Sequence, residues 1–523
     1  MHLLSARLHK LDFHRMKYFL LLLLFSLSNY YSFGQNKIAD EYRVKLDAYR
    51  AMHPPAMVYF HLDKIVYEPG DTIHYKAYQI ESEDWKPRQN AQFFDVRIVE
   101  KSTEKLVQQE KVIVDNGVGI GAFKLSKDIS PGSYRFIADS HLMNFDAADI
   151  DFVSNFTISG KVNLTDTDPE LSAECFVEGG QIVQGLLCRI VVKCNKDGIG
   201  KIVNINGDSL ASVPVNNGFS SIKFRPRTTE KLFVQFGDKK FPLPEIRKFG
   251  TVVSIDNQEN DANLAIIFSG KLAPGVSEQR MLLLAEHDGR TGLYFDIIAQ
   301  NGKTIQMFPK AALKHGINRF LVIDSAMNIQ NERLYYYHNP SMMYFKSEKT
   351  VRSEGNEDVI TVDINAEDKD GKAVDANLSI AVTDSIHCVG HVNGQNIVES
   401  FSIQQNISRP IDGLGDAFKN NRISDSRMLD LYMLSSTYGR YKWQDVRIYE
   451  YKPLEPFRVP YADERRAPKL SGYQPGNGLY YWNPSVDVKN GKASITLKAP
   501  KGTKLHYTVV GFDKKGFIGQ TEF

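Results

Sequence analysis

From Met57 to about residue 385 the chain alternates apolar and polar residues in short runs separated by turn residues. In TIHYKAYQI (72–80), Ile73, Tyr75 and Ala77 fall on one side, and His74, Lys76 and Tyr78 on the other. Successive strand side chains point to opposite faces, so this pattern predicts a strand. Pro69–Gly70 before it supplies the fixed and the permissive φ that a type II turn requires. The same grammar returns in FDVRIVE, LCRIVVKC, NLAIIFSG, RMLLLAEHDG and ANLSIAVTDS. Asn–Gly and Asp–Gly pairs between such runs are hairpin signals. The pattern predicts an all-β chain of tandem antiparallel β-sandwiches with a small helical insertion.

Two stretches depart from this. In KIADEYRVKLDAYRAM, Ile38, Tyr42, Leu46 and Tyr49 recur at helical spacing, and His53–Pro55 end the run. Residues 388–477 break the strand pattern. MLDLYMLSSTYGRYKW predicts an amphipathic helix with Gly439 as its terminator. Pro453, Pro456, Pro460, Pro468 and Pro475 predict an irregular connection around it. Strand grammar resumes at 478, and the last stretch is too short for a sandwich alone. The expected organisation is a leader (1–34), a helix (35–54) and sandwiches at 55–160, 161–247 and 248–346. A fourth, discontinuous sandwich (347–387 plus 478–523) is interrupted by the insertion 388–477.

Lys10, Arg15 and Lys17 precede the apolar run Tyr18–Leu27, and Ser32 and Gly34 stand before Gln35. This is the pattern of a secretory leader, with Met16 as the better start. The run is too short to span a bilayer, which needs roughly 20 residues. The mature chain is therefore expected to be exported, with no transmembrane segment. A length of 523 residues calls for several cores. With 42% hydrophobic and 24% charged residues the composition is that of a globular protein. The net charge of +2, with basic and acidic residues interspersed, gives no nucleic-acid footprint. Cys188 and Cys194 on one strand lie too far apart to bond each other. Either a bridge from Cys175 to one of them or buried thiols fits the spacing.

The motifs that could carry chemistry each have a plainer reading. GVGIGA (117–122) matches a loose dinucleotide fingerprint but is followed by strand, so it reads as a hairpin. NGKT (301–304) lacks the first glycine of a phosphate loop. His387, Cys388 and His391 lack a third metal ligand at suitable spacing. Asp146, Asp149 and Asp151, and Glu367, Asp368 and Asp370, do not follow a calcium-loop spacing. Asp63 and Lys64, adjacent on a strand, would face opposite ways, so structural pairing with neighbours such as Asp71 is expected rather than acid–base work. GLYYWNP (478–484) is the densest aromatic patch and reads as core or edge of a sheet. No catalytic residue, cofactor site or metal site is predicted.

VYFHLDKIVYEPGDTIHYKAY resembles the macroglobulin-like (MG2-type) domain that opens with D-K-x-x-Y-x-P-G-D. GVGIGAFKLSKDISPGSYRFIAD is similar to that domain's closing strands, and GLYYWNPSVDVKNGKASITLKAP to the segment leading toward the thioester domain of macroglobulins. CFVEGGQIVQGL, LPEIRKFGTVVSIDN, NERLYYY and LDLYMLSSTYGRYKW resemble exported Bacteroidetes-type proteins with macroglobulin-like repeats, some of which carry a TonB plug-like domain. The chain departs from these patterns in having no plug-like domain between helix and last strands and no C-x-E-Q thioester. The resemblance implies a non-enzymatic scaffold or protein-interaction protein of the periplasm or outer membrane. Its partners would be other envelope proteins, including outer-membrane transport or assembly machinery. The alternative is a protease-binding inhibitor of macroglobulin type, without a thioester, with 388–477 as bait. A glycan hydrolase would need paired carboxylates in a cleft, which sequence alone does not place. The insertion is the segment expected to touch a partner.

Overall fold

The computed structural model describes residues 37–52, 56–82, 84–140, 152–160, 170–257, 262–338, 342–387, most of 396–448, and 477–523. The leader, Asp146, Asp149, Asp151, Cys388, His391 and Pro453 to Pro475 lie outside them.

The chain is all-β, built of successive antiparallel sandwiches. In each of four units a three-stranded sheet accompanies one of four or five strands. The first unit sets Ala56–Leu62, Thr72–Glu81 and Val118–Lys124 against five strands centred on Gly132–Ser140. The second is centred on Cys188–Cys194 and Gly198–Val203, and the third on Asn263–Lys271 and Glu278–His287. In the fourth, Leu479–Val488 pairs with Ala376–Asp384 in the register Leu378↔Val486, so the chain returns to the sheet it left before residue 388. Alternation does the sorting: along Asn263–Lys271, Leu264, Ile266 and Phe268 are buried and their neighbours half-exposed.

Helix α1 (Lys37–Met52) buries Tyr42, Leu46 and Tyr49, the predicted stripe. Among its described residues the insertion holds the helices α2 (Ile397–Ser402), α3 (Ser426–Leu434) and α4 (Trp443–Ile448). The irregular connection expected from the prolines lies outside the described residues. All six residues of α2 are buried, and Asn396 caps it by accepting from the Glu399 N–H. Asp425 caps α3 in the same way.

Gly439 does not end α3. The helix stops at Leu434, where the Ser435 N–H reaches the Leu431 and Tyr432 carbonyls. Gly439 follows the bridge Ile407↔Tyr438, and a Cβ there would lie 2.6 Å from the Ile407 carbonyl carbon. Gly439→Ala is expected to destabilise the protein by about 1–3 kcal/mol through overpacking. Urea denaturation would show this as a lower midpoint at unchanged slope, and an unchanged midpoint would refute it.

Thr72–Glu81 forms the alternating strand that its sequence predicts, and both of its faces are covered. Lys76 and Tyr78, on the face opposite Ile73, Tyr75 and Ala77, are fully buried, because the fourth unit covers that face. Tyr78 Oη donates to the Val510 carbonyl (2.9 Å). Val510, Phe512 and Ile518 of the fourth unit share one core with the first unit and α2. In the second unit Cys175, Cys188 and Cys194 are thiols. Burial, helped by Cys194, pushes Cys175 up to about 12.

Candidate interaction site

The D-K-x-x-Y-x-P-G-D corner is a clasp. The strand ends at Leu62, so Asp63 and Lys64 lie in the bend beyond it and not on opposite faces of a strand. Nor are they exposed: Asp63 is 0% and Lys64 3% accessible. Asp63 accepts from Tyr67 Oη (2.7 Å) and the His74 N–H (3.1 Å), and its second oxygen meets His74 Nδ1 (2.9 Å). Lys64 Nζ donates to Asp71 Oδ2 (2.6 Å), the pairing expected, and to the Asn477 carbonyl (2.9 Å). Gly70, at φ +86°, turns the chain so that Asp71 comes back to this point. Burial alone would raise Asp71, but the Glu68 N–H and Lys64 more than offset it and hold the carboxyl below its usual range. The signature thus grips the residue at which the chain re-enters the fourth unit. Beside it the Asp384 N–H donates to the Gly478 carbonyl (2.9 Å). The excursion 388–476 therefore leaves and returns at one place.

Inside the excursion, the Gln405 side chain exchanges two hydrogen bonds with the Val58 backbone (2.8 and 3.2 Å). Ala56–Leu62 is an edge strand, and the amide occupies the groups that a further strand would take. At the other end, Trp443 of α4 stacks on Tyr42 of α1 (centroids 4.2 Å) and donates to the Met327 carbonyl. Tyr42 and Tyr441 both donate to Glu286, and the Arg319 guanidinium lies over the rings of Tyr438 and Tyr441 (4.8 and 5.2 Å). The described part of the insertion is a brace between the first, third and fourth units.

Where α3 crosses the second and third units it leaves a cleft of about 590 Å³. Arg189 contributes from the second unit, Tyr335 and Tyr337 from the third, and Arg427, Asp430 and Met433 from α3. Asp430 is a strut: Arg189 Nη1 donates to it at 2.9 Å, and Arg333, itself paired with Glu178 (3.1 Å), donates to its other oxygen. Burial would raise Asp430, but Arg333 and then Arg189 overcome that and keep it below the ordinary carboxylate range. Tyr335 is pushed up to about 12 by burial and by Asp430. At its rim Arg427 is exposed and Tyr337 half-buried, while Tyr335 and Tyr336 are buried. Periodicity identified α3 but gave no sign of this cleft, whose walls come from five separate stretches: Arg189, 255–257, Lys310, 335–338 and 423–433.

The remaining sequence motifs are structural where they are described. Gly117 turns a hairpin, and Val118–Lys124 pairs with Thr72–Glu81. NGKT opens the strand Gly302–Pro309. His387 Nδ1 meets Asp384 Oδ1 at 2.8 Å. Asp368 accepts from the Asp370 and Lys372 N–H groups, closing a turn, and Glu367 pairs with Lys346. In GLYYWNP, Leu479 and Trp482 are buried. Among the described residues no three His, Cys, Asp or Glu side chains converge as a metal would require, and no helix is long and apolar enough to cross a membrane.

No protein-family model matches the sequence, and no curated protein matches it. Among solved structures the chain is similar to Escherichia coli alpha-2-macroglobulin activated by porcine elastase, at 14% identity and a TM-score of 0.35 over 90% of this chain and 43% of that one. Salmonella alpha-2-macroglobulin reacted with methylamine aligns at 11% identity and a TM-score of 0.31, over 90% and 39%. Dimeric latent PorU from Porphyromonas gingivalis aligns over 54% and 34%, at 11% identity and a TM-score of 0.23. The chain spans less than half the length of the macroglobulins it matches.

Proposed function

We propose that this chain is an exported, non-enzymatic scaffold of the bacterial envelope that binds another envelope protein, such as a component of outer-membrane transport or assembly machinery. The observation that carries this reading is the cleft at α3. Five separated stretches build it, and they include three tyrosines and two arginines, residue types that dominate binding energetics. Of its two lining carboxylates, Asp256 and Asp430, the latter is locked between two arginines, which suits recognition and not proton transfer. The test is affinity capture from envelope fractions with wild-type protein and a Tyr337→Ala/Arg427→Glu variant that retains the native melting profile. Partners enriched by wild type and reduced more than about tenfold by the variant, a loss above about 1.4 kcal/mol, support the proposal. Equal recovery by both proteins refutes it.

The joined ends of 388–476 favour a second reading, a macroglobulin-type protease-binding inhibitor with that segment as bait. A cut there would leave the body of the molecule held together at Asp384–Gly478. Cleavage confined to 449–476, followed by compaction and loss of protease activity, would favour the inhibitor over the scaffold.

A further inference from the structure

Where the first and fourth units meet, an amine, a carboxamide and a carboxylate stand in line. Lys76 is 0% accessible, and its Nζ donates to Asn377 Oδ1. Asn377 Nδ2 in turn donates to Asp487 Oδ1 at 2.9 Å and to Ser485 Oγ at 3.0 Å. Backbone pairing holds each member in place. Lys76 sits opposite His61 and Ile120 in the first unit, while Asn377 is the cross-strand partner of Asp487 on one side and of Phe512 on the other. A buried lysine is ordinarily paired with a carboxylate. This one meets a neutral amide, with the Tyr78 ring 4.6 Å from its nitrogen. Burial pushes the amine down to about 7, against the opposing pull of Asp487, so a large share is uncharged and nucleophilic near neutral pH.

We propose that Lys76 and Asn377 form an intramolecular isopeptide bond, with Asp487 as the proton carrier, that ties the first unit covalently to the fourth. The Lys76 Nζ lone pair attacks Asn377 Cγ and makes the C–N bond. The carbonyl electrons move onto Oδ1. Asp487 passes a proton from the attacking amine to Nδ2, the carbonyl re-forms, the Cγ–Nδ2 bond breaks, and ammonia leaves. Amine plus carboxamide gives secondary amide plus ammonia, with no oxidant, reductant or cofactor. Fixed proximity supplies much of the rate, as in other intramolecular reactions. The leaving nitrogen faces Ser485 and Asp487, both exposed, so ammonia escapes to solvent while the amine side stays dry. The bond closes a loop between residues 301 apart in sequence. Any cut between residues 76 and 377 would leave the two pieces attached.

The experiment is intact-mass spectrometry of the full purified chain under denaturing, reducing conditions, followed by sequencing of proteolytic peptides. The expected result is a mass one ammonia below that of the processed sequence, and a branched peptide joining the segments around Lys76 and Asn377. Lys76→Met and Asn377→Ala chains should each keep the full mass of their own sequences. Asp487→Ala should slow the loss at least tenfold. A wild-type chain at its full sequence mass, with Lys76 and Asn377 on separate peptides, would overturn the proposal whether or not any variant folds. Loss of ammonia from Asp487→Ala at the wild-type rate would overturn the role given to Asp487.

Discussion

Replacing Arg319 by methionine is expected to cost about 3–5 kcal/mol, because it leaves the carboxylate of Glu286 buried without its cation. Glu286 is 1% and Arg319 4% accessible. The guanidinium donates to Glu332 at 2.8 Å and lies 3.8 Å from Glu286. Burial already raises Glu286, and Arg319 is the largest influence holding it back, ahead of the Tyr441 and Tyr42 hydroxyls. Those tyrosines reach Glu286 from the loop before α4 and from α1, so the loss propagates to both helices. Hydrogen exchange in α1 should quicken along with the fall in denaturation midpoint. The double variant Glu286→Gln/Arg319→Met should recover part of the stability, since it removes charge and countercharge together. A fall of less than about 1 kcal/mol in the single variant would mean that the cluster is not the fastening described.

Acidification from pH 7 to pH 4 is expected to remove about 3 kcal/mol through His61 alone. His61 is wholly buried between the first and fourth units, with Nδ1 2.5 Å from Ser379 Oγ and its ring against Trp482. Burial, reinforced by Lys76, pushes it from 6.5 down to about 3. As the pH falls below 6.5 the unfolded chain binds a proton that the native imidazole refuses. The contribution is therefore complete above 6.5 and disappears on the way down to about 3. Lys76 stays out of this window: its native value of about 7 lies below the unfolded 10.5, so its effect falls at higher pH. If Lys76 is consumed in an isopeptide bond, burial remains as the larger cause at His61. Denaturation midpoints measured across pH 4–7 should fall in the wild type and flatten in His61→Phe. Parallel profiles for the two proteins would rule His61 out as the source.

How much of this was readable beforehand varies from residue to residue. The corner at Pro69–Gly70 and the stripe Tyr42–Leu46–Tyr49 were legible because turn geometry and helical periodicity are local. The burial of Lys76 was not legible for the same reason: alternation identifies two faces of a strand but not what covers the second. The pairing of Lys64 with Asp71 was legible, but not its bond to the Asn477 carbonyl, hundreds of residues further on. Within the insertion the helical period of α3 was legible, while Gln405, Tyr441 and Trp443 carry no local mark of their contacts with Val58, Glu286 and Met327. The cleft at α3 left no trace in any single segment.

Taken by itself, the order of residues determined that the molecule is a run of sandwiches with a helix in front and a helical interruption before the final strands. Period and turn chemistry act over a few residues and need nothing remote. Only the tertiary arrangement decided which polar groups lose their water: Lys76 against Asn377, Glu286 under Arg319, Asp430 between two arginines. Desolvation and charge pairing depend on what lies within a few ångströms in space, and in this molecule those neighbours come from different units.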